Sequence, residues 1–229
     1  MNNKGFKDAL PVMVGYFPIA VTFGILSEST GIEIIDGVMM SAFVFAGASQ
    51  FMAISMISAG IGISSIIFAT FFMNFRHFIM SISLKSKIDS VHKKYYPLIG
   101  FFLTDETFSV LSMKNNMNDG KYLITFQASC YASWVLGTLT GYLAGMFLPQ
   151  IIINSLGIAL YALFVALIVP SCKKSTKALI LTILAGIINS LIQKNELFNQ
   201  SSSFIITVLG VSLIATFFTH GKEKITHEC

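Results

Sequence analysis

Runs of about 20 apolar residues recur along the whole chain, and no polar stretch between them is long enough to build a soluble core. A helix needs about 20 apolar residues to cross the hydrocarbon of a bilayer. On that length the sequence predicts eight membrane segments, near residues 9–27, 37–60, 61–84, 95–112, 122–147, 151–170, 177–193 and 203–219. We therefore expect an all-α integral membrane protein, with residues 1–229 forming a single transmembrane domain.

The charge content agrees with this fold class and restricts the function. Charged residues make up 11% of the 229 positions and hydrophobic residues 54%, whereas an ordinary soluble domain carries about 25% charged residues. The net charge of +4 comes from lysines in short loops, so it does not indicate a nucleic-acid partner. The first segment carries Pro11 and Pro18 and is not followed by a small-x-small cleavage site, which favours its retention over removal as a signal peptide.

Lysines in the loops predict the orientation, because short loops rich in lysine and arginine stay in the cytoplasm. Basic residues precede the first segment and follow the third, fourth, sixth and eighth segments, whereas the loop after the first segment carries Glu28, Glu33 and Asp36. The basic loops share one side only if the first three segments make an even number of crossings and the fourth enters and leaves by the same face. The alternative is an imperfect charge bias. We expect the cytoplasmic membrane as the location, with both termini in the cytoplasm.

Some segments should therefore be broken or re-entrant, in a polytopic helical bundle of about six to eight membrane segments. The candidates are the first segment, with Gly15, Pro18 and Gly24, the second, with AGASQ at 46–50, and the fourth, with LTDET at 103–107. Irregular backbone cannot face lipid, so such breaks are enclosed by protein or line a watery cavity. Discontinuous segments that meet near the midplane form substrate sites in transporters.

Asp105 and Glu106 lie in the middle of the fourth segment, where carboxylates are costly. Either they face a polar cavity, or at least one is protonated, or the segment is a polar hairpin at the membrane interface. Arg76 is about 12 Å from the end of its segment, farther than a snorkelling arginine reaches in full. Its expected partner is Asp105 or Glu106, and the alternative is a snorkelling anchor.

Asn74, His77 and Ser81 fall on one face of the third segment and form a polar stripe. Arg76 lies about 200° around the helix from Asn74, so either a local break or two different partners is required. His77 either titrates or forms a hydrogen bond within the bundle.

Small residues mark two further features. Gln50 follows Gly47 in the AGASQ stretch, and its amide is either a substrate contact or an interhelical hydrogen bond. Gly137, Gly141 and Gly145 are spaced four apart, which predicts that another helix approaches closely at these positions.

Transport is the favoured function class. The sequence contains no H-E-x-x-H zinc pair, no G-K-[ST] phosphate loop and no G-x-S-x-G nucleophile elbow. Three widely spaced cysteines indicate neither disulfides nor a metal site. We expect no enzymatic activity, no cofactor and no metal. The residues leave open a carrier or channel for another small solute, and a membrane-embedded enzyme that acts on a lipid or peptide.

Four motifs, in order along the chain, resemble those of the AzlC family of branched-chain amino acid exporters, also called the LIV-E family. They are GYFPIAVTFG at 15–24, FVFAGASQF at 43–51, NFRHFIMS at 74–81 and TDETF at 104–108. The second half of the chain resembles the family in segment number and hydropathy. Phe75 stands where leucine is commoner in the family, which is a conservative difference.

The resemblance implies a cytoplasmic-membrane exporter of leucine, isoleucine, valine and similar apolar amino acids such as methionine. It also implies that the chain is the large subunit of a permease, with a small AzlD-type membrane subunit as its partner. An exporter of this kind would be driven by the proton gradient, coupled through Asp105, Glu106 or His77.

An amino acid zwitterion requires three kinds of contact. Arg76 and the amides of broken helices near Gly15 and Gly47 are the hypothesised partners of its carboxylate. Asp105 and Glu106 are those of its ammonium group. An apolar wall for its side chain is expected from Phe23, Phe45 and Phe51.

Overall fold

A computed structural model describes residues 3–88, 91, 93–114, 119–149 and 176–194, together with single positions at 151, 165, 169, 172, 173, 206, 207, 210 and 211. The elements in these ranges are helical, which confirms the all-α fold class. They are α1 (Asn3–Ser29), α2 (Ile34–Phe43), α3 (Gly47–Ser58), α4 (Ile63–Lys85), a 3₁₀ turn (Lys93–Tyr95), α5 (Tyr96–Phe101), α6 (Asp105–Ser112), α7 (Gly120–Gly145) and α8 (Thr176–Lys194).

The chain divides into two compact units, one of Met1–Gly60 with Ile66–Tyr161 and the other of Ile61–Ser65 with Ala162–Cys229. In the second unit, α8 corresponds to the predicted seventh segment and contains an apolar stretch over Leu179–Ile192. The predicted sixth and eighth segments lie almost entirely outside the described residues. In the described ranges, α1 and α4 are long and apolar enough to cross a membrane. The single domain over 1–229 stays a prediction.

The first helix is continuous, so the predicted break in the first segment is wrong. Pro11 and Pro18 both lie inside α1. Proline removes a backbone donor, but membrane helices tolerate it where side chains of the same or neighbouring helices bond the freed backbone groups. Ser133 of α7 donates its hydroxyl to the Met13 carbonyl at 2.9 Å, which is adjacent to the Val14 carbonyl that Pro18 leaves without its amide donor. The amides near Gly15 are therefore those of an unbroken helix.

The helices α1 and α7 run parallel and cross at very short range. A Cβ atom added to Gly141 would lie 2.0 Å from the carbonyl oxygen of Val21, and one added to Gly24 would lie 2.1 Å from that of Thr138. Only glycine permits two backbones to approach this closely. The predicted packing face is confirmed at Gly137 and Gly141, where backbone atoms of α1 lie within 3 Å of the added Cβ positions.

The second segment is broken into α2 and α3, which we call the first broken hairpin. Its α2 half follows α7 toward the middle of the unit. Tyr142 donates its hydroxyl to the Ile32 carbonyl at 2.8 Å just before α2, and Tyr131 donates to the Ala42 carbonyl at 3.0 Å near its end. The break falls at 44–46, slightly before the predicted position, because AGASQ supplies the cap and first turn of α3.

The α3 half returns in the direction from which α2 came. At the break, the Phe45 ring packs against Tyr16 with a centroid separation of 6.2 Å. One turn into α3, Phe51 packs against Phe23 at 5.5 Å. Because Phe23 is seven residues beyond Tyr16 on α1, α3 runs toward the end of α1, where α2 began. The first broken hairpin therefore enters and leaves at one end of the unit.

The fourth segment is broken into α5 and α6, which we call the second broken hairpin. The break at 102–104 confirms the prediction from LTDET. Tyr96 at the start of α5 donates its hydroxyl to the Ile88 carbonyl at 3.3 Å. Lys87 donates to the carbonyl of Ser112, the last residue of α6. The start and the end of this hairpin thus lie beside the same stretch after α4, so it enters and leaves at one end, as predicted.

The two hairpins enter from opposite ends of the unit. Lys114, just after α6, pairs with Asp8 of α1 and with Tyr122 of α7, and this defines the basic end. Burial lowers the pKa of Lys114, but its hydrogen bonds to Asp8 and Tyr122 outweigh that effect and raise the pKa above its ordinary value. The acidic end carries Glu28, Glu33 and Asp36. Of the first three segments, α1 and α4 run the full length between these ends, which is the even number needed if the basic loops share one side.

Candidate functional site

The tips of the two broken hairpins meet in the middle of the first unit, around two tyrosines. The Phe45 ring, at the first tip, lies 6.2 Å from Tyr16 and 5.1 Å from Tyr131. At the second tip, the Phe102 ring lies 4.9 Å from Tyr131, and Thr104 forms a hydrogen bond with the Tyr16 hydroxyl. Both breaks therefore lie at one depth between the basic and acidic ends.

The second tip is organised by a helix cap. Thr104 precedes α6 in an extended conformation, and its side chain accepts a hydrogen bond from the Thr107 amide. The Thr107 hydroxyl in turn accepts a hydrogen bond from the Thr104 amide. Asp105 and Glu106 then occupy the first turn of α6. The N-terminal end of a helix favours negative charge, so this turn suits acidic side chains.

Arg76 of α4 pairs with Asp105, one of its two predicted partners. Its Nη2 lies 3.0 Å from the Asp105 Oδ2, with side-chain exposures of 35% and 33%. The Nε of Arg76 is buried and has no hydrogen-bond partner in the part of the chain that the structure describes. The pair is thus accessible, and the guanidinium retains a donor that the described residues do not use.

Tyr16 is a site residue that sequence reasoning missed. Its hydroxyl donates to the Glu106 Oε2 at 2.7 Å, and its ring is 5% exposed. It packs edge-to-face against Trp134 at a centroid separation of 5.5 Å. The sequence signal that could identify Tyr16 is its place in GYFPIAVTFG, next to the predicted site residue Gly15. Glu106 itself is exposed, so its carboxylate is fixed on one side by Tyr16 and open on another.

The first tip is held by a neutral network centred on Gln50, which is fully buried. Its Oε1 accepts from the Ala46 amide at 3.2 Å and from the Trp134 indole at 3.1 Å, while its Nε2 donates to the Ser41 hydroxyl at 2.9 Å. Ser41 in turn shares a 2.7 Å hydrogen bond with Thr138. This is the interhelical hydrogen bonding that the sequence offered as one of two interpretations of Gln50.

Backbone strain accompanies this network. Phe45 has a φ of 42°, a left-handed conformation that is unfavourable for a bulky residue and costs about 1–3 kcal/mol. Its ring is 2% exposed, so burial holds it in place. Gly47 follows the break, and a Cβ there would lie 2.6 Å from Trp134. Gly47 is thus placed at a broken helix as expected, whereas Gly15 is not, because α1 is continuous.

The phenylalanines predicted as an apolar wall are in the core. Phe23, Phe45 and Phe51 are 0%, 2% and 1% exposed, because their rings pack against one another and against the central tyrosines. They do not line an open cavity in this structure.

The two faces of α4 have different surroundings. Because α4 is one uninterrupted helix, the predicted alternative of a local break is wrong, and Arg76 and Asn74 lie on faces with different surroundings. Arg76 faces Asp105 of the second hairpin. Asn74 lines a groove with a volume of about 750 Å³ between α2, α3 and α4. His77 is half-buried, and its carbonyl accepts from the Ser81 hydroxyl at 2.8 Å.

Comparison with known proteins identifies relatives over most of the chain. A model of the family described as AzlC protein matches residues 11–148. An uncharacterized membrane protein of Archaeoglobus fulgidus is 35% identical over 176 residues, which are 76% of this chain and 77% of that protein. Inner membrane protein YgaZ of Escherichia coli is 31% identical over 80% of this chain and 78% of its own length.

A third relative has a functional name. The branched-chain amino acid transport protein AzlC of Bacillus subtilis is 27% identical over 76% of this chain and 69% of its own length. No solved structure matches the chain significantly.

Proposed function

Because the chain belongs to the AzlC family of membrane proteins, we propose that it exports branched-chain amino acids across the cytoplasmic membrane. Leucine, isoleucine and valine are the proposed substrates, with methionine as a similar apolar candidate. The name of the Bacillus subtilis relative supports amino acid transport. The proposal includes a small AzlD-type membrane subunit as partner and the proton gradient as energy source.

The observation that carries the proposal is the meeting of two opposed broken hairpins at one depth. Broken helices near the midplane are a recurring way in which transporters form a substrate site. Here the meeting point carries Arg76, Asp105 and Glu106, and charged groups at such depth are usually functional because they are costly to keep. With the basic end in the cytoplasm, the first hairpin would open from outside and the second from the cytoplasm.

The charged groups divide into two roles under this proposal. Asp105 already has a cation, since Arg76 lies 3.0 Å away. Among the described side chains, the neutral Tyr16 hydroxyl at 2.7 Å is the hydrogen-bond partner of Glu106, so this carboxylate is the better partner for a substrate ammonium group or a proton. Arg76 can exchange Asp105 for a substrate carboxylate, because ion pairs that are one-third exposed are weak. His77, on the same helix, is a further candidate for proton coupling.

The test is efflux of preloaded radiolabelled leucine from cells that express the chain with or without an AzlD-type subunit. We expect faster leucine loss that requires the subunit, and at least about a tenfold reduction for Arg76→Ala and Asp105→Asn. Lys114→Ala is the matched control, since Lys114 and Asp8 form an ion pair with similar side-chain exposures of 31% and 32% at the basic end. It should keep most of the efflux.

Two results would contradict parts of the proposal. If wild type moves no leucine, valine or methionine although both subunits reach the membrane, the substrate class is wrong and another small solute must be sought. If Arg76→Ala and Asp105→Asn export leucine as fast as Lys114→Ala, the ion pair only holds α4 to the second hairpin.

A further inference from the structure

The groove between α2, α3 and α4 lies directly beside the first hairpin tip. Val44 of the break and Ser49 and Gln50 of the first turn of α3 line it on one side, and α4 lines it on the other. A cavity at a broken helix is the usual location of a substrate in a transporter. This groove is separate from the Arg76–Asp105 pair, which lies on another face of α4.

The size and walls of the groove fit an aliphatic side chain. Its volume of about 750 Å³ falls in the range typical of small-molecule sites. The α4 wall consists of Ile66, Ile67, Phe71, Phe75 and Phe78. Small-molecule sites combine apolar walls of this kind with a few polar groups that fix the orientation of the ligand. The phenylalanines that the sequence suggests as this wall, Phe23, Phe45 and Phe51, are instead buried in the core.

Asn74 supplies a polar group that lacks a partner. Its Oδ1 is buried and accepts no hydrogen bond from the described residues. Buried amide oxygens are nearly always paired, so such an atom points to a missing donor. The last torsion of an asparagine side chain is soft, so the amide can turn to accept a hydrogen bond from a donor in the groove.

We infer that this groove binds the transported amino acid, with the aliphatic side chain against the α4 wall and the α-ammonium group donating to Asn74. The inference rests on the proposed function and extends it, because it assigns substrate selection to α4 and the first hairpin. Asn74 then holds the ammonium group while the side chain is selected in the groove, and the contacts with Glu106 and Arg76 proposed above belong to a later step of the transport cycle.

The experiment compares two isoleucines of α4 in proteoliposomes containing the full chain and an AzlD-type subunit. Ile67 lines the groove and is 60% exposed, while Ile79 lies outside it and is 59% exposed. Ile67→Trp should fill the groove and weaken leucine transport at least about tenfold, with a smaller effect on valine, because pockets discriminate roughly tenfold or more per methylene. Ile79→Trp should transport both substrates like wild type.

A variant that gains a substrate excludes misfolding as the explanation. Phe71→Ala enlarges the groove and should raise the rate for phenylalanine relative to leucine by about tenfold. Asn74→Leu should raise the KM for leucine with little change in kcat, since it removes a contact to bound substrate.

The outcomes separate this inference from the proposed function. If wild type transports leucine but Ile67→Trp matches Ile79→Trp and Phe71→Ala keeps the wild-type preference, the groove holds lipid chains and only the groove assignment is wrong. If wild type transports no branched-chain amino acid, the proposed function fails and this assignment fails with it.

Discussion

The two broken hairpins have the same shape but are held by different chemistry. At the first tip, Gln50 is fully buried and joins Ala46, Ser41 and Trp134 through neutral hydrogen bonds. At the second tip, a carboxylate and a guanidinium pair while one-third exposed. Buried neutral networks are costly to open because each group left unpaired costs free energy. Partly exposed ion pairs open easily, since water replaces the lost partner.

The difference indicates which hairpin moves. We expect the first hairpin to remain fixed against α7 while the second exchanges partners during transport. Glu106 fits this division. Its carboxylate is exposed, and among the described side chains Tyr16 is its hydrogen-bond partner. The unit thus places a tightly bonded tip and a more weakly bonded tip at the same depth.

The largest effect should come from the α1–α7 crossing that supports both hairpins. Gly141→Ala places a methyl group 2.0 Å from the Val21 carbonyl oxygen, and backbone atoms there cannot move aside. We expect a loss of at least about 3 kcal/mol in the free energy of unfolding, seen as little monodisperse protein in detergent. Gly15→Ala is the control, because a Cβ there meets nothing within 4 Å, and it should be neutral or stabilising by up to about 1 kcal/mol.

A normal yield of stable Gly141→Ala protein would mean that α1 and α7 are not packed as described. In that case the meeting of the two hairpins would lose its support, because both tips are positioned by residues of these two helices.

The difference in stability between the two hairpins can be measured by substituting two buried glutamines. Gln50→Leu leaves the Ala46 amide and the Trp134 indole without their acceptor, and we expect a loss of about 2–4 kcal/mol. Gln127 on α7 is also fully buried and donates to the Ile99 carbonyl of the second hairpin at 3.0 Å. Its Oε1 has no partner within the described ranges, so Gln127→Leu removes an unpaired atom and should cost less than half as much.

Thermal unfolding of the two variants in detergent checks this prediction. Equal losses of stability for Gln50→Leu and Gln127→Leu would show that the first tip is no more tightly held than the second.

Much of the hairpin arrangement was predictable because membrane insertion penalises irregular features strongly. Small residues at 46–50 and the acids of LTDET cannot continue a lipid-facing helix, so both breaks were found. For the same reason the sequence favoured a counter-charge for Arg76 over a snorkelling anchor, and one of its two candidates, Asp105, pairs with it. The lysine pattern favoured a fourth segment that returns to its own end, with an imperfect charge bias as the alternative.

The missed features depend on contacts that are distant in sequence. Pro18 predicts a break only from the local sequence, which does not show that α7 packs along this turn, where Ser133 bonds to the Met13 carbonyl. Tyr16 is uncharged and lies in an apolar stretch, so the local sequence does not distinguish it. Its hydrogen-bond partner Glu106 is 90 positions away. The groove is lined by three helices, and hydropathy does not predict which helices pack against one another.

The smallest change, removal of one hydroxyl, gives the sharpest comparison. Tyr16→Phe removes the donor to Glu106 at the second tip, and Tyr131→Phe removes the donor to the Ala42 carbonyl at the first. Both retain the ring, so Tyr131→Phe should cost about 1 kcal/mol in unfolding free energy and Tyr16→Phe about 1.5–3 kcal/mol, because the acceptor of Tyr16 is a carboxylate.

Their effects on transport should differ. Tyr16→Phe frees a carboxylate in the hairpin that we expect to move, so leucine efflux should fall about fivefold or more, since hydrogen bonds to charged groups are stronger than neutral ones. Tyr131→Phe weakens only a neutral contact in the fixed hairpin, so its efflux should match wild type. If Tyr131→Phe slows efflux as much as Tyr16→Phe, both hairpins move together, and the chemical difference between their tips serves stability alone.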